Sequence, residues 1–515
     1  MTGDPILDAG GSLEYLYAVL GPRGMLLGAA LLIWTLHYFM VLHQRPYVYF
    51  SGTRSTRILE LCPAATTSYS PALWCFGSGT LQTLAGTWLL GNVDEHTPPA
   101  PPLPGACQYT REFIRVTTPP VRALFINPTQ VSTGRTVSLD WLPIGDQRAP
   151  PGTGLRPQDC FALLIILNHG IGGALVNGCI IETIQYAQSL GFACVVVNLP
   201  GAGGTVAPLP AKGGDGSLTP CASVLRPSFR REVAEAMDAI DRRLKNWDQL
   251  QQQQQQTATP PPGSSDPRSS PAVTPRPMGS ASTSVSLPKG LIAFSAGGLH
   301  ALDYLAHFTP RSSSTPDQQA AEGGPDDHGS AGTCSVAAAG IGACAFGHVP
   351  LKPEKWAADS SSAKRDFLAR CKVQLRQCCA AGDSDLEQCQ AAMKAETLLE
   401  FETAMLPLTG PSVGPFKPYD SISSLTIPVC LYFSRDDPTI DFDSDVDLLQ
   451  LAVKGREHLV TAVTETGGHC GGFTTSSLFR SRKPSSKRDS LGSGVRYPIT
   501  FMVDFIAASL RPVLL

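Results

Sequence analysis

The chain has 515 residues, 43% of them hydrophobic and only 16% charged, against about 25% charged in ordinary soluble domains. Its 40 lysines and arginines nearly balance 43 aspartates and glutamates, which argues against nucleic-acid binding, since that normally leaves a clear basic excess. The 49 glycines and 44 prolines exceed the average share of about 12%, so loops or unstructured inserts take up part of the length.

After an N-terminal tail (1–23), the stretch Met25–Leu42 runs for eighteen residues with no acid or base except His37, close to the ~20 residues needed to cross the hydrocarbon core. The expected anchor covers 24–43, with Trp34, Tyr38 and Tyr47 as interfacial aromatics. Asp4, Asp8 and Glu14 precede the run and no small-residue cleavage site follows it, unlike a signal peptide. Arg45, Arg54 and Arg57 come after it, so the positive-inside rule puts the bulk of the chain in the cytosol, with the endoplasmic reticulum a fitting membrane. The fifteen scattered cysteines agree. They form no C-x-x-C pairs and read mostly as reduced thiols.

Everything from 46 to 510 reads as one α/β domain. Candidate strands are Cys160–Leu167, Ala193–Asn198, Gly290–Phe294, Ser335–Cys344, Val429–Phe433 and His458–Thr464. Helical stretches alternate with them, among them Gly178–Leu190 and Phe229–Trp247, the latter with Val233, Met237, Ile240 and Leu244 at helical spacing. Such alternation predicts a mostly parallel sheet covered on both faces. Three low-complexity inserts, 251–288, 309–332 and 474–494, interrupt the domain and lack the apolar residues that would repay ordering. The last carries the basic run Arg480–Arg488, which reads first as a solvated loop.

Four features follow predicted strands, where α/β folds place their sites. A glycine-rich turn at Asn168–Gly173 could offer backbone N–H groups to an oxyanion. Ser295, in Phe294-Ser295-Ala296-Gly297-Gly298, sits between a strand and a helix, where a nucleophile elbow needs small neighbours. Asp436 and Asp437 both follow the strand at 429–433, and either could orient a histidine; Asp437, the acid directly before Pro438, is favoured. His469 lies among glycines that let its ring swing toward another loop. Each is modest alone, but Ser295, Asp437 and His469 run in the order serine, acid, histidine that distinguishes α/β-hydrolases.

Several further motifs resemble the membrane-anchored α/β-hydrolase-domain family that includes the medium-chain phospholipase and bacterial YheT-like relatives. They are Cys62-Pro63, Pro71-Ala72-Leu73-Trp74 and Gln82-Thr83 near the start, and Leu139-Asp140-Trp141. Asn198-Leu199-Pro200-Gly201-Ala202-Gly203-Gly204 and Glu400-Phe401-Glu402 follow. Thr80 departs from the family's usual histidine, Pro200 from its arginine, and Ala293 and Ala296 from its glycine and methionine. The resemblance implies an α/β-hydrolase fold with a helical cap at about 351–400. It also implies a Ser295–Asp437–His469 triad and oxyanion donors at the backbone N–H of Ile171 and Ala296. The implied chemistry is ester cleavage on lipid-like substrates, without metal or organic cofactor. The competing expectation is a catalytically inactive hydrolase-fold membrane scaffold.

Overall fold

A computed structural model of the protein describes residues 9–72, 77–88, 109–116, 135–142, 160–168, 178–199, 229–257, 287–308, 334–343, 387–397, 425–438, 453–474 and 495–511, with a few single positions between 365 and 422. In chain order the elements are α1 (Ala9–His37), a π-helical turn (Tyr38–Leu42), β1 (Tyr47–Phe50), α2 (Gly52–Glu60), α3 (Pro63–Thr66) and α4 (Gly79–Trp88). Next come β2 (Thr110–Val116), β3 (Arg135–Leu142), β4 (Ala162–Asn168), α5 (Gly178–Ser189), β5 (Phe192–Asn198) and α6 (Arg230–Thr257). The chain continues through β6 (Lys289–Phe294), α7 (Ala296–Phe308), β7 (Val336–Gly342), α8 (Glu387–Lys394), β8 (Val429–Ser434), β9 (Leu459–Thr464) and α9 (Tyr497–Leu510).

Among the described residues nine strands form one sheet in the order β1-β9-β8-β7-β6-β4-β5-β3-β2. The six strands from β9 to β5 are mutually parallel. At the edges β1 joins β9, β3 joins β5 and β2 joins β3 antiparallel. The parallel strands are apolar along their length because helices cover both faces: every residue of β4, β5, β8 and β9 is buried. Side chains divide by alternation. Leu163, Ile165 and Leu167 enter the core beneath α6 and α7, and Leu164 and Ile166 the core beneath α5 and α9. Gly340 lets α9 lie close to β7, since a Cβ there would stand 2.9 Å from Met502 Cβ.

β4 and β6 are neighbours, and the chain passes from β4 outward to β5 before returning to β6 on the other side. Strand order therefore reverses between β4 and β6, the switch point at which open α/β sheets place ligands. The six predicted strands match β4 to β9 within two residues at either end. The Leu-Asp-Trp and Asn-Leu-Pro motifs meet across the sheet. Arg111 grips Asp140 through two nitrogens, at 2.6 and 2.7 Å, and Asn198 Nδ2 donates to the same carboxylate at 2.8 Å while its amide oxygen accepts from Asn168.

Two expectations shift. The insert expected from 251 begins in helix instead, because α6 continues through the glutamines to Thr257. Glutamine is a good helix former, and an already packed helix spares it the cost of nucleation. The insert expected from 474 begins one residue late, since Thr474 is bridged to Pro71. Residues 258–286, the whole of 309–332 and 475–494 lie outside the described residues, as does most of the expected cap at 351–400, α8 and a few positions such as the buried Leu368 and Leu375 excepted.

The apolar N-terminal helix is kinked where Gly21 (φ 64°) meets Pro22. Its segment Gly21–Met40 is long and apolar enough to cross a membrane. Leu26, Leu27, Leu31, Leu32, Ile33 and Met40 point away from the protein. Its far end does the opposite. Tyr38 and Leu42 are buried against the domain, Tyr38 Oη donates to the Pro71 carbonyl at 2.8 Å, and Tyr69 N–H donates to Gln44 at 2.9 Å.

Candidate functional site

Ser295 stands between β6 and α7 with φ +53°, a left-handed conformation that costs a residue with a Cβ about 1–2 kcal/mol. The bend is held from both sides, for Ser295 N–H donates to the Gly342 carbonyl and Gly298 N–H to the Ser295 carbonyl, each at 2.9 Å. Small residues at Ala293, Ala296, Gly297 and Gly298 make the turn possible at the C-terminal end of β6. Ala296 opens α7, in the first turn, where backbone N–H groups lack intrahelical acceptors and the helix dipole favours negative charge. Ile171 and the glycine turn around it lie outside the described residues.

The turn after β8 presents two adjacent carboxylates with different partners. Asp437, its side chain 1% exposed, places Oδ2 2.9 Å from His469 Nδ1. Asp436 points elsewhere: its Oδ1 accepts the Gly468 N–H at 2.9 Å and its buried Oδ2 has no hydrogen-bond partner. Burial pushes the Asp436 carboxyl up to about 6, a shift that the Gly468 hydrogen bond opposes and the charge of Asp437 reinforces.

His469 follows β9 in the loop Gly467–Gly472 and closes the constellation, with Nε2 2.8 Å from Ser295 Oγ. Burial disfavours the imidazolium, yet the Asp437 carboxylate, by charge and hydrogen bond, and the adjoining Cys470 outweigh it and hold the ring well above the ordinary histidine range. Once deprotonated, the ring with Nδ1–H donating to Asp437 turns its Nε2 lone pair toward the serine hydroxyl. Three residues separated by 142 and 32 positions in sequence are thus joined in one chain of hydrogen bonds through His469.

Sequence reasoning missed what supports this loop from below. Arg496 is buried, its Nη1 donating to the Cys470 carbonyl at 2.9 Å, its Nε 3.4 Å from Glu182, and its guanidinium 4.6 Å from the Phe473 ring centre. No local pattern marks it, since an arginine beside a proline-led helix reads as surface. Among the described residues no group of three or more histidines, cysteines, aspartates or glutamates is arranged to hold a metal ion.

No protein-family model matches the chain. It is 25% identical to the human phospholipase ABHD3 over 169 residues, 33% of this chain and 33% of that protein, and equally so to the mouse protein. The chain therefore spans about a third of the length of the curated relatives it matches. Among solved structures, the esterase Pf2001 of Pyrococcus furiosus matches with a TM-score of 0.32 and 10% identity, over 70% of this chain and 84% of that one. The 2,6-dihydroxy-pseudo-oxynicotine hydrolase matches with a TM-score of 0.33 and 13% identity, over 71% and 62%. Strand order, and the way a serine elbow, an acid turn and a histidine loop converge where that order reverses, identify the fold as that of the α/β-hydrolases.

Proposed function

We propose that the protein is a serine hydrolase that cleaves carboxylic esters of lipid-like molecules of the phospholipase or carboxylesterase type. The observation that carries this reading is the continuous path from Asp437 through His469 to Ser295, at 2.9 and 2.8 Å, ending on a serine held at φ +53°. Ser295 Oγ attacks the acyl carbonyl while His469 Nε2 takes its proton. The tetrahedral oxyanion is met by the Ala296 N–H and by the Ile171 N–H that the family resemblance supplies, each donor contributing about 3 kcal/mol. The proton passes from His469 to the departing alcohol, leaving an acyl-serine. Water, deprotonated by His469, then attacks the acyl carbon, and the carboxylic acid and free Ser295 hydroxyl are regenerated. Asp437 holds the imidazole in the required tautomer and faces the imidazolium that forms.

Lipid-like substrates fit the apolar helix Gly21–Met40, which in this reading is a single-pass anchor with the hydrolase domain on the cytosolic side. A removable signal sequence fits less well, because Tyr38 and Leu42 at its far end are buried in the domain. An anchor raises the effective concentration of bilayer substrates at the site.

Labelling of the full chain in detergent with a fluorophosphonate probe tests the reading. Wild type is expected to label, Ser295→Ala to lose the label, and an exposed-serine control to keep it. Folded wild-type protein that fails to label overturns the proposal.

A further inference from the structure

The Gln82-Thr83 pair takes no part in the chemistry just described, yet it lies against the loop that carries His469. Both side chains are buried in α4. Thr83 Oγ1 accepts the backbone N–H of His469 itself at 2.7 Å and donates to the Gly79 carbonyl one turn back at 2.8 Å, so its hydroxyl is used in both senses. Gln82 Oε1 accepts from Phe473 N–H at 3.1 Å and from Tyr69 Oη at 3.0 Å, and Tyr69 Oη also lies 3.3 Å from the Phe473 carbonyl. The histidine loop is thus held at two points, at His469 and four residues later, by one turn of a helix 386 residues away in sequence.

The fit leaves no slack. Gly468 takes φ +63°, and a Cβ on it would come within 2.1 Å of the Gly79 carbonyl oxygen and 2.5 Å of Thr83 Oγ1. Backbone packed this closely with a buried donor at its centre cannot shift the ring without orphaning the His469 N–H. A histidine flanked by glycines has no stiffness of its own; the rigidity comes from the helix it rests on.

We infer that Thr83, seconded by Gln82 and Tyr69, is a positioning residue that sets the distance from His469 Nε2 to Ser295 Oγ by gripping the backbone of the histidine loop. The inference rests on the reading of His469 as general base. Because the grip acts on ring placement and not on substrate, its loss lowers kcat and leaves KM in place.

The test is steady-state hydrolysis of p-nitrophenyl butyrate by the full chain in detergent micelles, for wild type, Thr83→Val, Thr83→Ser and Tyr69→Phe. Wild-type turnover abolished by Ser295→Ala establishes the underlying reading; its absence would sink that reading and is visible before any Thr83 variant is compared. Given that turnover, Thr83→Val is expected to lower kcat by about 10- to 100-fold with KM within twofold, the cost of a small misplacement of a reacting group. Thr83→Ser, which keeps the hydroxyl, is expected to recover kcat to within about threefold of wild type, a rescue that mere core filling would not produce. A folded Thr83→Val with wild-type kcat overturns the inference, as does a Thr83→Ser no better than Thr83→Val. Should Thr83→Val not fold, Tyr69→Phe decides: a lowered kcat at constant KM supports the grip, and an unchanged kcat refutes it.

Discussion

Asp436→Asn offers a test of the electrostatics beside the histidine loop, because burial alters how the Asp436 carboxyl answers pH. The folded Asp436 carboxyl is raised from 3.8 to about 6, mainly by burial and partly by the charge of Asp437. A folded value above the unfolded one means that the native state binds the proton more tightly. Stability contributed by this group is then greatest below about pH 4, falls between about pH 4 and 6, and stays at its lower level above. A shift of about two units corresponds to about 3 kcal/mol, and solvent reaching the partly exposed side chain trims this to about 2 kcal/mol. Asparagine keeps an oxygen for the Gly468 N–H and cannot ionise. Asp436→Asn is therefore expected to gain stability relative to wild type as pH rises, reaching about 2 kcal/mol at pH 8. Urea unfolding of both proteins in the same micelles at pH 4.5, 5.5, 6.5 and 8 measures the difference. A difference independent of pH, or one that shrinks toward pH 8, would refute the reasoning.

Asp437→Asn is expected to leave the fold intact and to lower kcat by about three to four orders of magnitude, since the ring loses its tautomer control. Removing that carboxylate also removes what holds His469 above the ordinary range, so the acidic limb of the residual kcat/KM profile should move to lower pH; a limb that stays in place counts against the assignment. Ser295→Gly abolishes labelling but relieves the φ +53° strain, and its unfolding free energy should exceed that of Ser295→Ala by about 1 kcal/mol in a denaturant titration. Arg496→Met takes the guanidinium from Glu182, which keeps the backbone N–H of residue 496, and from the Cys470 carbonyl; it is expected to cost about 3 kcal/mol, read as a lowered melting temperature, and a melt equal to wild type would show the pair to be idle.

The architecture is plain in the chain because its causes are local. Runs such as Leu163–Leu167 and Val195–Val197 are apolar at every position, which only a strand covered on both faces tolerates, and they alternate with helices patterned like Val233, Met237, Ile240 and Leu244. The elbow around Ser295 and the glycines around His469 are likewise local solutions to sharp bends. The antiparallel edges were harder to see. Phe113 on β2 and Phe50 on β1 are exposed, and no burial pattern distinguishes such strands from loops.

The choice between Asp436 and Asp437 shows where local reasoning stops. The two are adjacent, chemically identical and in the same turn, so composition and spacing favour neither beyond a preference for the acid before proline. The sheet decides it: β9 delivers the histidine loop so that the ring meets Asp437 and the backbone of Gly468 meets Asp436. Gln82-Thr83 makes the same point over a longer distance. The motif is visible in sequence as a resemblance, but its partner is an amide 386 residues away, and backbone amides carry no residue-specific mark. By itself the sequence determined the six parallel strands, the helices that alternate with them, the apolar N-terminal run and the order of serine, acid and histidine, because periodicity and turn chemistry are written in neighbouring residues. Only the tertiary structure decided which acid faces the imidazole and what grips its loop, because those contacts exist only after distant turns have been packed onto one sheet.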